Sequence, residues 1–324
     1  MKPLCVALLA SLCSAACDRN ADAPEPERTP RQDAEATPEL PRPTLAKVRA
    51  GFVTTLVLPD DPDEPVPAIP PDAPFTFLEY DSAVGTLGGF VSKDPGDGKK
   101  HPAIVWITGG DTNGIWEIWE PMPASNDQTA RQYRDAGVVM LFPGLRGGND
   151  FPGRREGFFG EVDDVIAATQ KLRTLPYVDP DRIYLGGHST GGTLALLVAE
   201  SSDLYRAAFS FGPVHDPDWY GGRFLFHDPE QYDESLLRAP VHWLHSIRAP
   251  TFVIEGQDGN WLPLHALEGA NENPLVTFIP LRHTDHFAVL APLNTLIAAQ
   301  ILADTGPSTS FTLSAETLQP MFPG

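Results

Sequence analysis

Short apolar runs recur along the chain from about residue 75 onward, and longer amphipathic stretches lie between them. The runs at 75–80 and 88–91 predict an antiparallel pair of strands. Further runs bounded by Gly, Pro or Asp predict buried strands at 103–107, 138–142, 183–185, 207–211, 252–254 and 276–279. Helix-length stretches lie at 126–136, 160–172, 193–200 and 290–302. This alternation predicts an α/β fold, with a mostly parallel central sheet covered by helices on both faces.

A Gly-x-Ser-x-Gly sequence at residues 187–191 lies between a predicted strand and a predicted helix. The glycines at both ends of this motif make room for a serine held in a strained turn, which exposes its hydroxyl at the sheet edge. Ser189 is therefore the predicted nucleophile. Backbone amides would stabilise an oxyanion, and we expect one from Thr190 and another from Gly110 or Asp111, after the strand 103–107.

A serine nucleophile needs a base and an acid that orients the base, and in this topology the order is Ser, acid, His. His286 follows the last predicted strand and is the predicted base, with His283 as its rival. The acid should follow the strand at 252–254. Asp258 is the first choice there, and Glu255 is the alternative.

A segment rich in aromatic rings, at about 214–248, separates two predicted strands and would form a cap over the sheet edge. Its Trp219, Tyr220 and Trp243 either contact substrate or pack the cap onto the sheet. Arg146, on a loop at the same edge, is a further candidate for substrate binding. His215, His242 and His245 lack the spacing of a metal site, so no metal is expected.

The net charge and the positions of the cysteines exclude several classes of function and of site. Lys and Arg total 23 against 43 Asp and Glu, a net charge of −20, which argues against binding to nucleic acid. The three cysteines all lie within the first seventeen residues. A disulfide framework, a Cys-ligated metal site and a catalytic cysteine are therefore excluded from residue 18 onward.

The first residues have the features of an export signal. Lys2 precedes an apolar run at 4–12, and small residues at 14–16 precede Cys17. We expect a signal peptide over 1–16 and a lipid anchor on Cys17, which would tether the protein in the cell envelope on the periplasmic side or at the surface. An ordinary secretory peptide cut after Ala16 is the alternative.

The predicted organisation continues with a disordered acidic, Pro-rich tether at 17–43 and an N-terminal extension at 44–74. The catalytic domain is predicted over 75–306, with the cap as an insertion, and a C-terminal tail over 307–324. The sequence leaves the oligomeric state open.

Four stretches together resemble the α/β-hydrolase superfamily, in its prolyl-oligopeptidase-like and dienelactone-hydrolase-like branch. They are 101–106 leading to Gly109-Gly110, Arg146-Gly147-Gly148, 178–183 leading into 187–192, and Asp285-His286-Phe287. The resemblance implies a serine hydrolase that forms an acyl-enzyme with Ser189, uses His286 as base, and needs no metal and no organic cofactor. The substrate would be a small ester or a peptide.

One departure from the family pattern concerns the acid. Family members usually place it three residues after the glycine, whereas Asp258 is two residues after Gly256. Two other functions stay open. One is a catalytically silent hydrolase fold that serves as a cell-envelope binding lipoprotein. The other is an acyltransferase that passes the acyl group to an alcohol.

Overall fold

Within residues 42–59 and 64–324, which are those the computed structural model describes, eight strands form a single sheet in the order β1-β2-β4-β3-β5-β6-β7-β8. The strands are β1 (Phe75–Ser82), β2 (Gly85–Ser92), β3 (His101–Ile107), β4 (Val139–Pro143), β5 (Val178–His188), β6 (Ala208–Phe211), β7 (Thr251–Asp258) and β8 (Val276–Asp285). The strands β1 and β2 pair antiparallel, and β2 also pairs antiparallel with β4. The six strands β3 to β8 pair with one another in parallel. The predicted α/β class and mostly parallel sheet are confirmed.

Helices cover both faces of this sheet. They are α1 (Leu45–Arg49), α2 (Gln132–Asp135), α3 (Gly160–Leu172), α4 (Thr190–Ser201), α5 (Tyr232–Leu236), α6 (Trp261–Ala270), α7 (Leu290–Ala303) and α8 (Ala315–Leu318). Apolar side chains of α3, α4 and α6 share one buried cluster, and those of α2, α7 and α8 share a second. Both layers exclude water from the parallel strands, which explains why those strands read as continuous apolar runs.

The prediction missed the short helices α1, α5 and α8, and it differs from the structure at two longer stretches. The stretch at 126–136 forms only a 3₁₀ turn at Ala124–Asn126 and the short α2. The Asp127 carboxylate accepts hydrogen bonds from the amide and hydroxyl of Thr129, which competes with a helical backbone. The helix α6 was missed, because Pro263 reads as a helix breaker. It lies in the first turn, where a missing N–H costs nothing.

The residues 43–59, called the N-terminal strap below, pack onto the predicted catalytic domain. Arg49 donates to the Asp163 carboxylate at 2.9 Å and lies over the Phe159 ring, 4.3 Å from its centroid. Farther along, the Val57 amide donates to the Phe226 carbonyl at 2.7 Å. The strap therefore joins helix α3 to the cap segment, residues 214–248.

The last residues of the chain are also part of the fold. Leu318 and Phe322 are buried in the cluster that α2 and α7 share, and Phe311 packs edge-on against Tyr184. Residues 43–324 consequently form one compact unit, which contains both the strap and the segment predicted as a tail. The predicted signal peptide, Cys17 and the tether up to residue 41 lie outside the described residues.

No helix among the described residues combines the length and apolar character needed to cross a membrane.

Candidate active site

Ser189 occupies a sharp turn between β5, which ends at His188, and α4, which begins at Thr190. Its backbone has φ 56° and ψ −118°, a conformation that residues with a side chain rarely adopt. The Ser189 amide donates to the Phe211 carbonyl of the neighbouring strand at 2.7 Å, which anchors the turn to the sheet. The strain is thus held by the surrounding structure, as is usual at functional sites.

The two glycines of the motif have a steric role. A Cβ atom at Gly187 would lie 2.3 Å from the Gly191 carbonyl oxygen, and one at Gly191 would lie 2.2 Å from the Ile107 carbonyl oxygen. Both distances are far below van der Waals contact. Residues 187 and 191 therefore have to be glycine for helix α4 to start this close to β3 and β5.

A buried carboxylate orients the predicted base. The Nδ1 atom of His286 lies 2.8 Å from Oε2 of Glu255, and the Glu255 side chain is fully buried. Glu255 also accepts from the amides of Gly256 at 2.6 Å and Asn260 at 2.9 Å. An ionised carboxylate is acceptor-only, so the His286 tautomer carries its proton on Nδ1 and leaves Nε2 as a proton acceptor.

The acid in contact with His286 is thus Glu255. The sequence pattern predicted Glu255 only as the alternative acid, and the first choice, Asp258, is wrong. Strand β7 does not stop at Ile254 but continues to Asp258, with a register irregularity after Gly256. Glu255 lies within the strand and is buried, whereas Asp258 is the last residue of the strand and is exposed. The prediction ended the strand at Ile254 and placed the acid beyond it, at Asp258, because the sequence does not reveal how far the strand extends.

The rival base, His283, lies elsewhere. It is exposed, has φ 60°, and its ring lies beside the C-terminal residue Gly324, where an added Cβ would be 3.1 Å from it. The structure pairs a carboxylate with His286 instead.

Contacts around Gly109 and Gly212 bring the loops of the site together. A Cβ at Gly109 would lie 3.1 Å from the Cβ of Ser189, so the loop after β3 is directly against the predicted nucleophile. A Cβ at Gly212, after β6, would lie 2.6 Å from Nδ1 of His286 and 2.7 Å from Oε2 of Glu255. The ring of His188, the neighbour of Ser189, is 4.4 Å from that of His286 between centroids. The carboxyl ends of β3, β5, β6, β7 and β8 therefore converge here, as expected for a parallel sheet.

The predicted oxyanion donors lie on two adjacent segments. The Thr190 amide opens helix α4, where N–H groups have no intrahelical carbonyl to bind. The Thr190 hydroxyl donates to the Gly110 carbonyl at 2.8 Å, which fixes the loop against the helix. Among the described residues, neither the Gly110 amide nor the Asp111 amide donates a hydrogen bond. The start of α4 and the Gly110–Asp111 loop thus both lie next to Ser189. Their backbone N–H groups are available to bind an oxyanion.

A hydrogen-bond chain that the sequence did not reveal links the loop after β3 to the base. The Gly109 amide donates to Oε1 of Gln128 at 3.1 Å, and Nε2 of Gln128 lies 2.8 Å from Nδ1 of His188. The other ring nitrogen of His188 lies 2.9 Å from the His286 carbonyl oxygen. A neutral His188 that donates to this carbonyl accepts from Gln128, so every polar atom in the chain has a partner. Gln128 belongs to no motif, and no signal in the sequence marks it.

Tyr220 of the cap segment reaches the nucleophile. Its hydroxyl lies 2.8 Å from the hydroxyl of Thr193, one turn into α4. Burial raises the pKa of the Tyr220 phenol, and hydrogen bonding to Thr193 and Ser189 opposes that rise. Of the aromatic residues predicted to bind substrate, Tyr220 is the one that the structure brings to Ser189. Trp219 is half exposed and packs edge-on against His215.

Arg146 and Trp243 correct the prediction of substrate contacts. Arg146 is buried, donates to Asp164 at 2.8 and 2.9 Å and to Glu156 at 2.6 Å, and so has its guanidinium occupied. Its backbone carbonyl accepts from Asn113 at 2.7 Å, which secures the far end of the loop after β3. Trp243 is buried and donates to the Leu236 carbonyl. Both residues support the fold around the site.

No group of three or more His, Cys, Asp or Glu side chains in the described residues is arranged to hold a metal ion.

Part of the chain is similar to a known family of proteins. Residues 125–270 match the sequence model described as the Prolyl oligopeptidase family, Peptidase_S9. The matched stretch contains Ser189 and Glu255 and ends before His286. The dual function macrocyclase-peptidase POPB of Galerina marginata is 28% identical over 153 residues, which are 41% of this chain and 21% of that protein. The chain thus spans about a fifth of the length of this curated relative.

Solved structures share the fold at low sequence identity. The acylaminoacyl peptidase of Pyrococcus horikoshii superimposes with a TM-score of 0.56 and 16% identity, over 75% of this chain and 43% of its own. The 2,6-dihydroxy-pseudo-oxynicotine hydrolase gives a TM-score of 0.57 and 14% identity, over 75% of this chain and 71% of its own. These neighbours establish the α/β-hydrolase fold.

The buried His188 gives a prediction about stability and pH. Burial and the nearby His286 lower the pKa of His188 to about 3, so the folded state keeps it neutral while the unfolded chain protonates it near 6.5. Unfolding then takes up a proton between these values, and the free energy of unfolding falls as the pH drops. In His188→Gln that slope should become shallower by up to ~1.4 kcal/mol per pH unit.

Urea unfolding of the wild type, His188→Gln and His283→Gln from pH 7 to pH 4 measures this difference. The exposed His283 is the matched control, and its replacement should leave the slope unchanged. An unaltered slope in His188→Gln would contradict the burial of a neutral imidazole at this position.

Proposed function

We propose that this chain, which carries a domain of the prolyl oligopeptidase family in an α/β-hydrolase fold, is a serine hydrolase acting on an ester or peptide bond. Ser189 would be the nucleophile, His286 the base and Glu255 the orienting acid. The observation that carries the proposal is the 2.8 Å contact between His286 Nδ1 and the buried Glu255, next to a strained serine. This is the arrangement that activates a hydroxyl at neutral pH.

The first chemical step follows from the tautomer of His286. Glu255 holds the ring proton on Nδ1, so Nε2 takes the proton of the Ser189 hydroxyl as its oxygen attacks the substrate carbonyl carbon. The tetrahedral oxyanion that results faces the amides of Thr190 and of the Gly110–Asp111 segment. Fixed N–H donors in a site that excludes water stabilise such charge strongly.

The second half of the reaction uses the same groups. The imidazolium donates its proton to the departing alcohol or amine, which leaves the acyl group on Ser189. Nε2 then accepts a proton from water as the water oxygen attacks the acyl carbon. The same proton passes to the Ser189 oxygen as its bond to the acyl carbon breaks, which releases the acid and restores the neutral base. No step needs a metal or an organic cofactor.

The choice between esters and peptides is open to experiment. Galerina marginata POPB is named as a macrocyclase-peptidase, and the Pyrococcus horikoshii neighbour is titled an acylaminoacyl peptidase, which favours a peptide or acylated amino acid. Matched pairs of substrates, each a 4-nitrophenyl ester and the corresponding 4-nitroanilide, would compare kcat/KM for the two bond types directly.

A fluorophosphonate probe tests the triad, because it reacts only with an activated serine. Wild-type protein should be labelled, and Ser189→Ala should not. Glu255→Gln should slow labelling by about 10³- to 10⁴-fold, since the amide no longer fixes the Nδ1–H tautomer. Asp258→Asn is the matched control and should react like the wild type.

Two outcomes would contradict the proposal. Equal labelling of Glu255→Gln and wild type, with slow labelling of Asp258→Asn, would reverse the assignment of the acid. A folded wild-type protein that stays unlabelled would instead favour a catalytically silent binding protein, the alternative function.

We also propose that the protein is exported and held at the membrane by lipid on Cys17. The support is the sequence pattern at the start of the chain, an apolar run followed by small residues and cysteine. Cells grown with radiolabelled palmitate should label the wild type and not Cys17→Ser. Label retained in Cys17→Ser would contradict a lipid anchor at that residue.

A further inference from the structure

A cavity of about 480 Å³ opens beside the loop after β3. Gly110 and Asp111 form one side of it, and the rings of Phe158, Phe224 and Phe226 form another. The strap closes the cavity with Leu58 and Pro59. Its volume suits a small organic group of the size of a substrate side chain or acyl chain.

Residues that line the cavity contact the neighbours of Ser189, the proposed nucleophile. Phe158 stacks on the ring of Tyr220 at 5.9 Å between centroids, and Phe224 lies 5.4 Å from the same ring. Tyr220 in turn contacts Ser189 and Thr193. On its other side, Gly110 lines the cavity and its carbonyl accepts from the hydroxyl of Thr190, the residue after Ser189.

Two arginines line this apolar cavity, and only one of them pairs with a carboxylate that lines it. Arg155 is paired with the Asp111 carboxylate at 2.7 Å, so these two charges offset each other. Arg223 is exposed at the rim, where its guanidinium lies 4.8 Å from the centroid of the Phe224 ring. It forms no ion pair with any carboxylate in the residues that the structure describes. Among the described residues that line the cavity, two arginines thus stand against one aspartate, in a chain whose net charge is −20.

This combination specifies a ligand. Three phenylalanine rings favour an apolar or aromatic body, and a guanidinium binds a carboxylate through two parallel N–H···O bonds. The Arg223 guanidinium is already held over Phe224, so less conformational entropy is lost when it binds an anion. A neutral amide in place of the carboxylate loses the charge-assisted part of that interaction.

We propose that this cavity binds the part of the substrate that combines an apolar body with a carboxylate, and that Arg223 is the residue that selects the carboxylate. This inference rests on the proposed hydrolase function, because the bound group is taken to be part of a substrate. Its test measures binding alone and does not need the hydrolase activity. The carboxylate would be that of an acyl chain, of an acidic side chain or of a peptide terminus.

The test measures binding without turnover. Calorimetry with 4-phenylbutyrate and 4-phenylbutanamide, which differ only in the charged group, is carried out on the Ser189→Ala protein. The acid should bind about fivefold or more tightly than the amide, as expected for a charged hydrogen bond at a partly exposed site. Adding Arg223→Gln should remove this preference, whereas Arg223→Lys should keep part of it.

A matched control removes the same charge elsewhere. Arg248 is exposed and lies before β7, at the amino end of the strands and thus on the opposite edge of the sheet. Arg248→Gln should leave the acid-to-amide ratio unchanged. Equal binding of the two ligands, no binding of either, or a preference that survives Arg223→Gln would each overturn the proposal. In each of these cases the protein with Ser189 intact would still react with the fluorophosphonate probe if it is a serine hydrolase. Failure of the cavity proposal can therefore be distinguished from failure of the proposed function.

Discussion

The site depends on one constraint: the carboxylate of Glu255 is fully buried, and a buried carboxylate is tolerated only when hydrogen-bond donors surround it. Glu255 meets it with the amides of Gly256 and Asn260 and with the ring of His286. Burial of an unpaired carboxylate would cost several kcal/mol, so these three donors hold the loops that carry them in fixed positions. His286 is therefore oriented by the same interaction that makes burial of Glu255 tolerable.

Close packing around this carboxylate restricts the residues nearby. A Cβ at Gly259 would lie 2.6 Å from Oε1 of Glu255, and one at Gly256 would lie 2.4 Å from the Asp285 carbonyl oxygen. Strands β7 and β8 can therefore run this close together only with glycine at 256, and the Glu255 carboxylate has room only with glycine at 259. The pair of strands then delivers His286 to Ser189, and His188 and Gln128 connect it to the loop after β3. Continuous hydrogen bonds thus link the base to the loop that carries the predicted oxyanion donors, and they pass through His188, the residue that precedes Ser189.

Features that are set by residues close together in the sequence could be predicted. Features that are set by contacts between residues far apart in the sequence could not. The turn at Ser189 could be predicted because its glycines, strand and helix lie within a few residues of one another. The acid could not, since the extension of β7 to Asp258 is set by its pairing with β8. Arg146 was misread for a similar reason. Its partner Asp164 is eighteen residues away on helix α3, and only the fold brings the two together. Gln128 joins the site from a loop without any motif.

The pairing of His286 with Glu255 can be measured directly through the proton that His286 carries on Nδ1. A proton on Nδ1 that is hydrogen bonded to a buried carboxylate is shielded from solvent exchange and gives a far-downfield resonance in a proton NMR spectrum. We predict that resonance in the wild type and in Asp258→Asn, and its loss in Glu255→Gln and in His286→Gln. A resonance that survives in Glu255→Gln and disappears in Asp258→Asn would contradict the central assignment.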